Sequence, residues 1–477
     1  MQRIRVAQDR WNFQFEDGRY FVPLGGNMIN EQHPFYSGTI FDRFDAGVCD
    51  RLLGLMASVG LNCLRQAIGA DRIFDVATGA KTAGLTNWDT FLELCEKHGI
   101  YVMPVGGYLG GNDWFDSPLL ADSGKPLDDR CRFWECFAAH VADHPAILAY
   151  DLANELSYAL PTVSALPSRT AKTVDPSLVA ATDANLKDAW PGFLEARYGS
   201  LGTMNRLYGS RHESFAAVPG SVYFVDKPFD PASYDFRCYL NDRGYRWSKR
   251  QCDVIRSVAP RQMIASGNNG WLFPDMNLCL ANGFHNVALH DLFDIMTIHV
   301  YPAPQCLPTG HGDPLSSEEA MRFWLASCVG MARIDHFGKP VMMQEFGWYG
   351  GGESSFLCPL PYRSEQEHAD YIERLCREMI PHVNGFVNWP TMDMPAAQDV
   401  SNHGGLFTHE GRPKPLAGVY ERLSRELAGR PQHRAQGTTT LTYSLQGLYT
   451  SRAVQDRMWD EIVATVRSGQ IPDFRFV

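Results

Sequence analysis

The chain has 477 residues, of which 45% are hydrophobic and 20% are charged, a composition typical of a globular protein with a large buried core. Its formal net charge of -11 argues against a nucleic-acid partner, which would require a basic surface. No apolar stretch reaches the length of about eighteen residues that a membrane-spanning helix needs, so we expect no membrane partner.

The twelve cysteines are scattered along the chain. No CxxC pair and no Cys/His cluster has the spacing of a zinc site, and several cysteines lie in apolar runs, where a free thiol behaves as a small hydrophobic group. The opening stretch, MQRIRVAQDRWNFQF, lacks the apolar core of a signal peptide. We therefore expect a reduced, cytoplasmic protein without a bound metal.

Short runs rich in Val, Ile, Tyr and Phe alternate with helical patterns along the chain, as is typical of a parallel sheet. The predicted strands are Tyr20–Leu24, Leu61–Arg65, Tyr101–Val105, Ile147–Ala153, Gln262–Ala265, Ile295–Val300, Val341–Phe346 and Gly385–Trp389. The predicted helices are Val48–Val59, Trp88–His98, Arg132–Asp143, Arg237–Ser257, Ser317–Phe337, Glu365–Ile380 and Leu416–Leu427. Eight such strands most economically close into a (β/α)8 TIM barrel.

A doubly wound open sheet is the alternative to the barrel. It would be expected to carry a dinucleotide site after its first strand, but the glycine-rich stretch there, GGNMIN, lacks the GxGxxG spacing of such a site. The sequence therefore favours an α/β barrel that uses no cofactor.

Three long insertions follow predicted strands and should lie on the C-terminal face of the barrel, where such enzymes place their sites. The longest covers residues 156–235. The two others are GGYLGGNDWFDSPLL, with Asn112 and Trp114, and GWYGGGESSFLCPLPY, with Trp348. The catalytic barrel is predicted to span residues 1–430. Residues 431–477 form an extension that packs on the barrel or at a subunit contact.

Two acidic residues end predicted strands: Glu155 follows ILAYDLAN, and Glu345 follows PVMMQ. A carboxylate at the end of a buried strand is costly unless it faces a polar pocket. The fourth and seventh strands of a barrel face each other, and two carboxylates about 5 Å apart are what retaining glycoside hydrolysis requires. In that reaction one attacks the anomeric carbon, while the other protonates the leaving oxygen and later activates water.

Other polar and aromatic residues end the same predicted strands. His299 and Tyr301 are two positions apart in TIHVYP and should face the same side. Tyr301 is placed to donate a hydrogen bond to Glu345, and Arg65 should lower the pKa of that carboxyl. Trp389 is placed to form the floor under a sugar. Each residue alone suits a core or surface role, but together they favour a site.

The motifs NCLR, DLANE, IHVYP, KPVMMQEFG and NW resemble those of clan A glycoside hydrolases, especially the cellulase-like family 5. DVSNHGGLFTHEGRPKPLAGVY resembles the closing stretch of that family, and the resemblance covers Phe21 to Leu427. It implies that Asn154 binds the sugar 2-hydroxyl, Glu155 is the acid/base and Glu345 is the nucleophile. It also implies that four residues line the subsite of the cleaved sugar: Arg65, His299, Tyr301 and Trp389. Adjacent residues of a strand face opposite ways, so we expect a bulge at Asn154 and Glu155.

The chain also departs from the family pattern. The third strand ends in VGGYLGGN, where many family 5 enzymes have a histidine. Tyr108 and Asn112 are the candidates for that place, and the alternative is that no residue takes it. The inserted FLEARYGSLGTMNRLYG resembles a segment of family 42 β-galactosidases. Rim positions that can read the sugar hydroxyls, or that simply form turns, are Asn268, Asn269, Trp271, Asp393 and His403.

The long rim insertions favour a closed pocket and hence an exo-acting enzyme on short oligosaccharides. The sequence ranks a β-mannosidase first and a β-galactosidase, β-glucosidase or endo-β-glucanase of the same clan as alternatives. A non-catalytic carbohydrate-binding barrel would be expected to lose one carboxylate, and a metal hydrolase would need several converging His and Asp ligands, of which only His299 qualifies. A homo-oligomer is an open possibility.

Overall fold

The computed structural model describes residues 1–28, 44–75, 78–108, 122–156, 189–219, 231–267, 283–302, 313–348, 360–395 and 400–477. Eight parallel strands in this part of the chain form one sheet, in which the first strand pairs with the second and the eighth. They are Leu24–Asn27, Cys63–Gly69, Tyr101–Tyr108, Ala149–Asp151, Met263–Ala265, Met296–Val300, Val341–Phe346 and Phe386–Asn388. A parallel bridge between Ala265 and Ile295 joins the fifth strand to the start of the sixth. The sheet therefore closes, and the predicted (β/α)8 barrel is confirmed.

The helices that were predicted between the strands are all present, with slightly different bounds: Ala46–Ser58, Ala83–His98, Gly124–Val141, Pro231–Val258, Glu318–Ile334, Glu365–Met379 and Pro415–Leu427. The helix Glu365–Met379 shows why they form. Ser364 and Glu367 make a capping box at its start, which satisfies free backbone donors of the first turn. Its buried residues recur every three or four positions, so one apolar face packs toward the barrel.

The predicted position of the first barrel strand, Tyr20–Leu24, is wrong. Residues 20 and 21 do not belong to the barrel: Tyr20–Phe21 pairs antiparallel with Phe13–Phe15, which pairs with Ile4–Val6. This small sheet covers the N-terminal end of the barrel, where the rings of Phe21 and Tyr101 meet edge to face at 5.1 Å. The apolar pattern therefore predicted a strand correctly but assigned it to the wrong sheet.

The true first barrel strand, Leu24–Asn27, contains two glycines that the apolar pattern does not flag. A Cβ atom at Gly25 would lie 1.9 Å from the carbonyl oxygen of Cys63, and one at Gly26 would lie 2.3 Å from the side chain of Thr391. Close approach of the neighbouring backbone at Gly25, and of the Thr391 side chain at Gly26, is what requires glycine here.

The interior of the barrel changes from apolar to polar along the strands. On the second strand, Cys63 belongs to an apolar cluster inside the barrel, and Arg65, two residues later, faces the same way. On the fourth strand, Ala149 belongs to that cluster and Asp151 follows it at the same spacing. Because side chains on one face of a strand recur every two residues, the polar layer lies at the C-terminal end of the barrel.

The predicted helical insertion forms two helices, Trp190–Tyr198 and Leu201–Tyr208. They are attached to the helix Pro231–Val258 through Asp235, a buried carboxylate on that helix. Asp235 accepts hydrogen bonds from the hydroxyls of Tyr198 and Tyr208 and pairs with Arg197 at 2.8 Å.

The last part of the chain forms a parallel pair of strands, Thr439–Tyr443 and Pro472–Phe476, connected by the helices Leu445–Thr450 and Arg452–Arg467. The ring of Trp459 packs on Phe323 of the helix Glu318–Ile334. Arg333 of the same helix donates hydrogen bonds to the carbonyls of Pro472 and Ala435 and to Asp473. This segment therefore lies against an outer helix of the barrel.

Two further sequence predictions concern absences. The nine cysteines in the described part of the chain are all free. Among the same residues, no helix has the length and the apolar character that would let it cross a membrane.

Candidate active site

Arg65, which is 1% exposed, is the centre of the polar layer. Its guanidinium donates to Asp151 at 2.8 Å, to Asn27 at 3.1 Å, to Glu345 at 2.6 Å and to Asn154 at 2.7 Å. These partners come from the first, fourth and seventh strands and the loop after the fourth. The planar fork of arginine can hold several acceptors in fixed directions, so Arg65 orients both the predicted nucleophile and the predicted sugar-binding amide.

Glu345 has a partner on each carboxylate oxygen: Arg65 on Oε1 and the hydroxyl of Tyr301, at 2.9 Å, on Oε2. Burial raises the pKa of Glu345 and the charge of Glu155 raises it further, whereas His299, Arg65 and Tyr301 lower it; the net direction is upward. The sequence predicts that Arg65 lowers the pKa of this carboxyl. Arg65 does act in that direction, but the cost of burying the charge is larger.

Glu155 is one of the few non-glycine residues with a left-handed backbone, at φ +50°. Its N–H donates to the carbonyl of Gly267 at 3.1 Å. The bulge predicted at Asn154 and Glu155 is therefore wrong. The strand ends at Asp151, and the backbone turns through Glu155 instead. Such a conformation costs of order 1–3 kcal/mol and concentrates at functional sites. A Cβ atom at Gly267 would lie 2.1 Å from Asp151, so glycine is needed there.

His299 lies between the two carboxylates and is fully buried. Its Nδ1 is 2.6 Å from Oε1 of Glu155 and 3.6 Å from Oε2 of Glu345. Burial lowers the pKa of His299, but the charge of Glu345 and the hydrogen bond and charge of Glu155 outweigh it, so the pKa lies above its ordinary value. One ligand atom from each of the three residues lies within 4.8 Å of the others. The two predicted catalytic carboxylates therefore approach each other closely.

A β-bulge on the seventh strand brings two consecutive side chains into the barrel. Ile298 pairs with Met343, but His299 pairs with Glu345, so Gln344 is the extra residue. In a regular strand Gln344 and Glu345 would face opposite sides. With the bulge, Gln344 bonds to Asp151 and His299 while Glu345 reaches Arg65.

Three buried residues of this network are not among the site residues predicted from the sequence: Asn27, Asp151 and Gln344. The amide of Asn27 donates to the carbonyls of Gln344 and Asn388, which holds the first, seventh and eighth strands together. A signal was present in the sequence, because each of the three is a polar residue inside or next to a short apolar run, and such a residue must find partners when it is buried.

Asn154 accepts from Arg65 with Oδ1, which leaves its NH2 group to donate toward a ligand. Trp389 lies at the same end of the barrel, with its backbone N–H bonded to the carbonyl of Phe346 and its Nε1 to Ser401 at 2.9 Å. The predicted roles of both residues in sugar binding stay predictions.

Several predicted rim residues lie outside the described part of the chain: Asn112, Trp114, Asn268, Asn269 and Trp271, together with the side chain of Tyr108. Trp348 lies in the described part of the chain, and its predicted position on the rim is wrong. Its ring is 1% exposed, packs edge to face on Tyr371 at 5.3 Å and donates to the carbonyl of Pro361. It therefore faces the surrounding helix layer.

Asp393 and His403, the other rim candidates, belong to one buried contact. Lys414 donates to both oxygens of Asp393, at 2.9 and 3.0 Å, and to the carbonyl of His403 at 2.7 Å. Asp393 also accepts from the N–H of Gly405. These bonds hold the closing stretch of the barrel.

Glu155, His299 and Glu345 are the one group of described residues with the spacing of a metal site. Arg65 already supplies a cation to Glu345 at 2.6 Å, and like charges repel strongly in a buried site. The arrangement therefore suits proton transfer between a histidine and two carboxylates better than metal binding.

Comparison with known proteins bears on the fold. No protein-family model matches the chain. A curated β-galactosidase of Thermus thermophilus is 23% identical over 210 residues, which is 38% of this chain and 32% of that protein, so the match covers about a third of its length. The exo-β-1,4-mannosidase Op5Man5 from Opitutaceae bacterium strain TAV5 superposes with a TM-score of 0.63 at 19% identity, over 99% of this chain and 72% of that one.

A GH5_18 protein from Streptomyces cattleya, solved in complex with Manβ1-4GlcNAc, superposes with a TM-score of 0.60 at 14% identity, over 96% of this chain and 94% of that one. The chain has the fold of a clan A glycoside hydrolase. The structural neighbours agree with the resemblance to family 5 that the strand motifs indicate.

Proposed function

We propose that the protein is a retaining β-glycosidase that removes single sugars from short oligosaccharides, with β-mannosides as its substrates. The observation that carries the proposal is the approach of Glu155 and Glu345, whose nearest oxygens lie within 4.8 Å. Retaining enzymes keep their carboxyl groups at about 5–5.5 Å, whereas inverting enzymes need about 6.5–9.5 Å to admit a water molecule between carboxylate and sugar.

The two carboxylates differ in their surroundings, and this difference supports their roles. Glu345 is the more deeply buried, with its side chain 6% exposed, and is held by Arg65 and Tyr301. A fixed, water-excluded carboxylate suits attack on the anomeric carbon to form a glycosyl-enzyme. The side chain of Glu155 is 20% exposed, which suits a group that must reach both the leaving group and the incoming water.

Proton transfer then follows in two steps. Glu155 gives its proton to the glycosidic oxygen as the bond from that oxygen to the anomeric carbon breaks and Glu345 forms its bond to the same carbon. In the second step, Glu155 takes a proton from water, whose oxygen displaces Glu345 from the sugar. His299, in contact with Glu155 at 2.6 Å, is placed to share the proton of Glu155 before the first step and again after the second.

The preference for β-mannosides is supported by the structural neighbours. One is named an exo-β-1,4-mannosidase and another was solved with Manβ1-4GlcNAc bound. The second candidate, a β-galactosidase, is favoured by the curated relative from Thermus thermophilus. In either case Asn154 would present its NH2 group to the 2-hydroxyl of the sugar.

The test has two parts. A panel of p-nitrophenyl β-mannoside, β-galactoside and β-glucoside, with Manβ1-4GlcNAc as the oligosaccharide, should show the highest kcat/KM for the mannosides. Proton NMR of the first product should show the β-anomer before mutarotation. Appearance of the α-anomer first would exclude retention. An equal or higher kcat/KM on the galactoside would mean that β-galactosides, rather than β-mannosides, are the substrates.

A further inference from the structure

Gln344, the extra residue of the bulge, contacts His299 on the side of the ring that faces away from Glu155. Its Nε2 is 2.9 Å from Oδ2 of Asp151, and its Oε1 is 3.2 Å from Nε2 of His299. Gln344 is itself fully buried. It therefore connects the acid of the fourth strand to the histidine of the sixth.

The direction of the Gln344 amide follows from its partners. Oδ2 of Asp151 accepts from Nε of Arg65 at 2.8 Å, while Oδ1 of Asp151 has no hydrogen-bond partner in the described part of the chain. Burial raises the pKa of Asp151, but a proton on Oδ1 would still leave Oδ2 as an acceptor. The NH2 group of Gln344 must therefore face Asp151, and its carbonyl oxygen must face His299.

The state of His299 follows in turn. A carbonyl oxygen only accepts, so Nε2 of His299 carries a hydrogen. In a neutral ring with this hydrogen, Nδ1 bears a lone pair, yet it lies 2.6 Å from an oxygen of Glu155. Such a short contact requires one proton between the two atoms, either on Glu155 or on Nδ1.

We propose that Gln344 is a positioning residue that keeps His299 in its Nε2–H form and thereby holds on the Glu155–His299 pair the proton that is delivered to the leaving oxygen. In the alternative neutral tautomer, the ring carries its one hydrogen on Nδ1 and donates it to an ionised Glu155. Glu155 and His299 together then hold one proton fewer, so this tautomer favours loss of the proton that the leaving oxygen needs. The Gln344 carbonyl disfavours that tautomer, because it would face the bare lone pair of Nε2. The inference rests on the proposed function for the use of the proton, not for its location.

Other charged groups also act on the pair. Glu345 lies 3.6 Å from Nδ1 of His299, and Arg65 is bonded to Glu345 and to Asp151. These groups set the overall affinity of the pair for its proton. Gln344 differs from them because it touches Nε2, and it therefore selects the tautomer.

The first test is spectroscopic and needs no turnover. In wild-type protein labelled with 15N-histidine, with His299 assigned by comparison with His299→Asn, Nε2 should keep the shift of a protonated nitrogen through the alkaline range. A neutral ring with its hydrogen on Nδ1 would overturn the proposal. In Gln344→Met, which keeps the length of the side chain without the amide, the neutral ring should move its hydrogen to Nδ1.

The second test is the pH profile. Gln344→Met should move the alkaline limit of kcat/KM to lower pH by about one unit, the effect of one lost hydrogen bond. A dinitrophenyl glycoside, whose leaving group needs no proton, should show a smaller change. An unchanged alkaline limit in an active Gln344→Met variant would refute the positioning role while leaving the proposed glycosidase intact. If wild type cleaves no glycoside, the proposed function fails and the NMR result still decides the tautomer.

Ser266→Ala is the matched control. Ser266 bonds to the hydroxyl and the N–H of Thr297 inside the same barrel, both at 2.9 Å, and it is bonded to neither His299 nor Asp151. This variant also loses a buried hydrogen bond, but it should leave the alkaline limit and the His299 tautomer as in wild type. A shift as large as that of Gln344→Met would show that general loosening of the barrel, rather than the Gln344 contact, moves the profile.

Discussion

Nη1 of Arg65 lies 2.6 Å from Oε1 of Glu345, and the two side chains are 1% and 6% exposed. The same guanidinium also bonds to Asp151 at 2.8 Å. Good geometry and further hydrogen bonds offset the desolvation cost of a buried ion pair, and Arg65 provides both by using all three of its nitrogens, although the pKa of Glu345 still lies above its ordinary value. This contact joins the second strand to the seventh and fixes the carboxylate on which the proposed chemistry depends.

Replacing Arg65 by lysine keeps the charge but removes the fork. We expect Arg65→Lys to lower kcat/KM by about 100-fold or more, because a single ammonium cannot orient Glu345 and Asn154 together. Steady-state kinetics on folded protein measure this. Arg333→Lys, at an equally buried arginine on the outside of the barrel, is the control. It should lower thermal stability but not kcat/KM, and equal losses in the two variants would contradict a specific role for Arg65.

Glu345→Gln removes the proposed nucleophile and should lower kcat by about 10⁴-fold or more. The variant should also be more heat-stable than wild type at alkaline pH. Because burial raises the pKa of Glu345 in the folded protein, ionisation favours the unfolded state, and wild-type stability falls as the pH rises from the unfolded pKa through the folded one. Melting curves at about pH 5 and about pH 8 should show a larger advantage of the variant over wild type at the higher pH. Near-normal turnover would exclude the assignment.

Glu155→Ala removes the proposed acid/base and should lower turnover of poor leaving groups by about 10²–10⁴-fold. Substrates with dinitrophenyl leaving groups should lose much less in the first step. Azide should then restore turnover by attacking the glycosyl-enzyme, because a small anion needs no general base. The glycosyl azide can be identified by mass spectrometry. Absence of rescue at every leaving group would count against the role of Glu155.

Tyr301→Phe removes the hydroxyl that donates to Oε2 of Glu345. That hydrogen bond lowers the pKa of the carboxyl, so its loss should raise the pKa further and move the acidic limit of kcat/KM to higher pH. The pH profile of wild type and variant gives the result. Tyr101→Phe, at the other end of the barrel, removes a hydroxyl that, within the described ranges, donates to the carbonyl of Gln2. It should leave the acidic limit in place, and a matching shift there would make the Tyr301 effect non-specific.

Much of the fold follows from local patterns. The helix Glu365–Met379 could be read from its capping residues and its apolar spacing, and Val341–Phe346 from an apolar run that ends in an acid. The first strand could not be read in this way, because two of the four residues of Leu24–Asn27 are glycines. They are required because Cys63 and Thr391 lie too close for a Cβ atom. These neighbours are distant along the chain, and the local pattern carries no trace of them.

The sequence by itself determined seven of the eight barrel strands, in their order, and the two acids near the C-terminal ends of two of them, because the alternation of apolar and polar residues is local and has the period of the element that it builds. Only the tertiary structure decided which polar groups meet. The bulge at Gln344, the left-handed backbone of Glu155 and the net upward pKa of Glu345 depend on contacts between strands and on burial. Barrel closure creates these contacts and excludes the water that would otherwise weaken them.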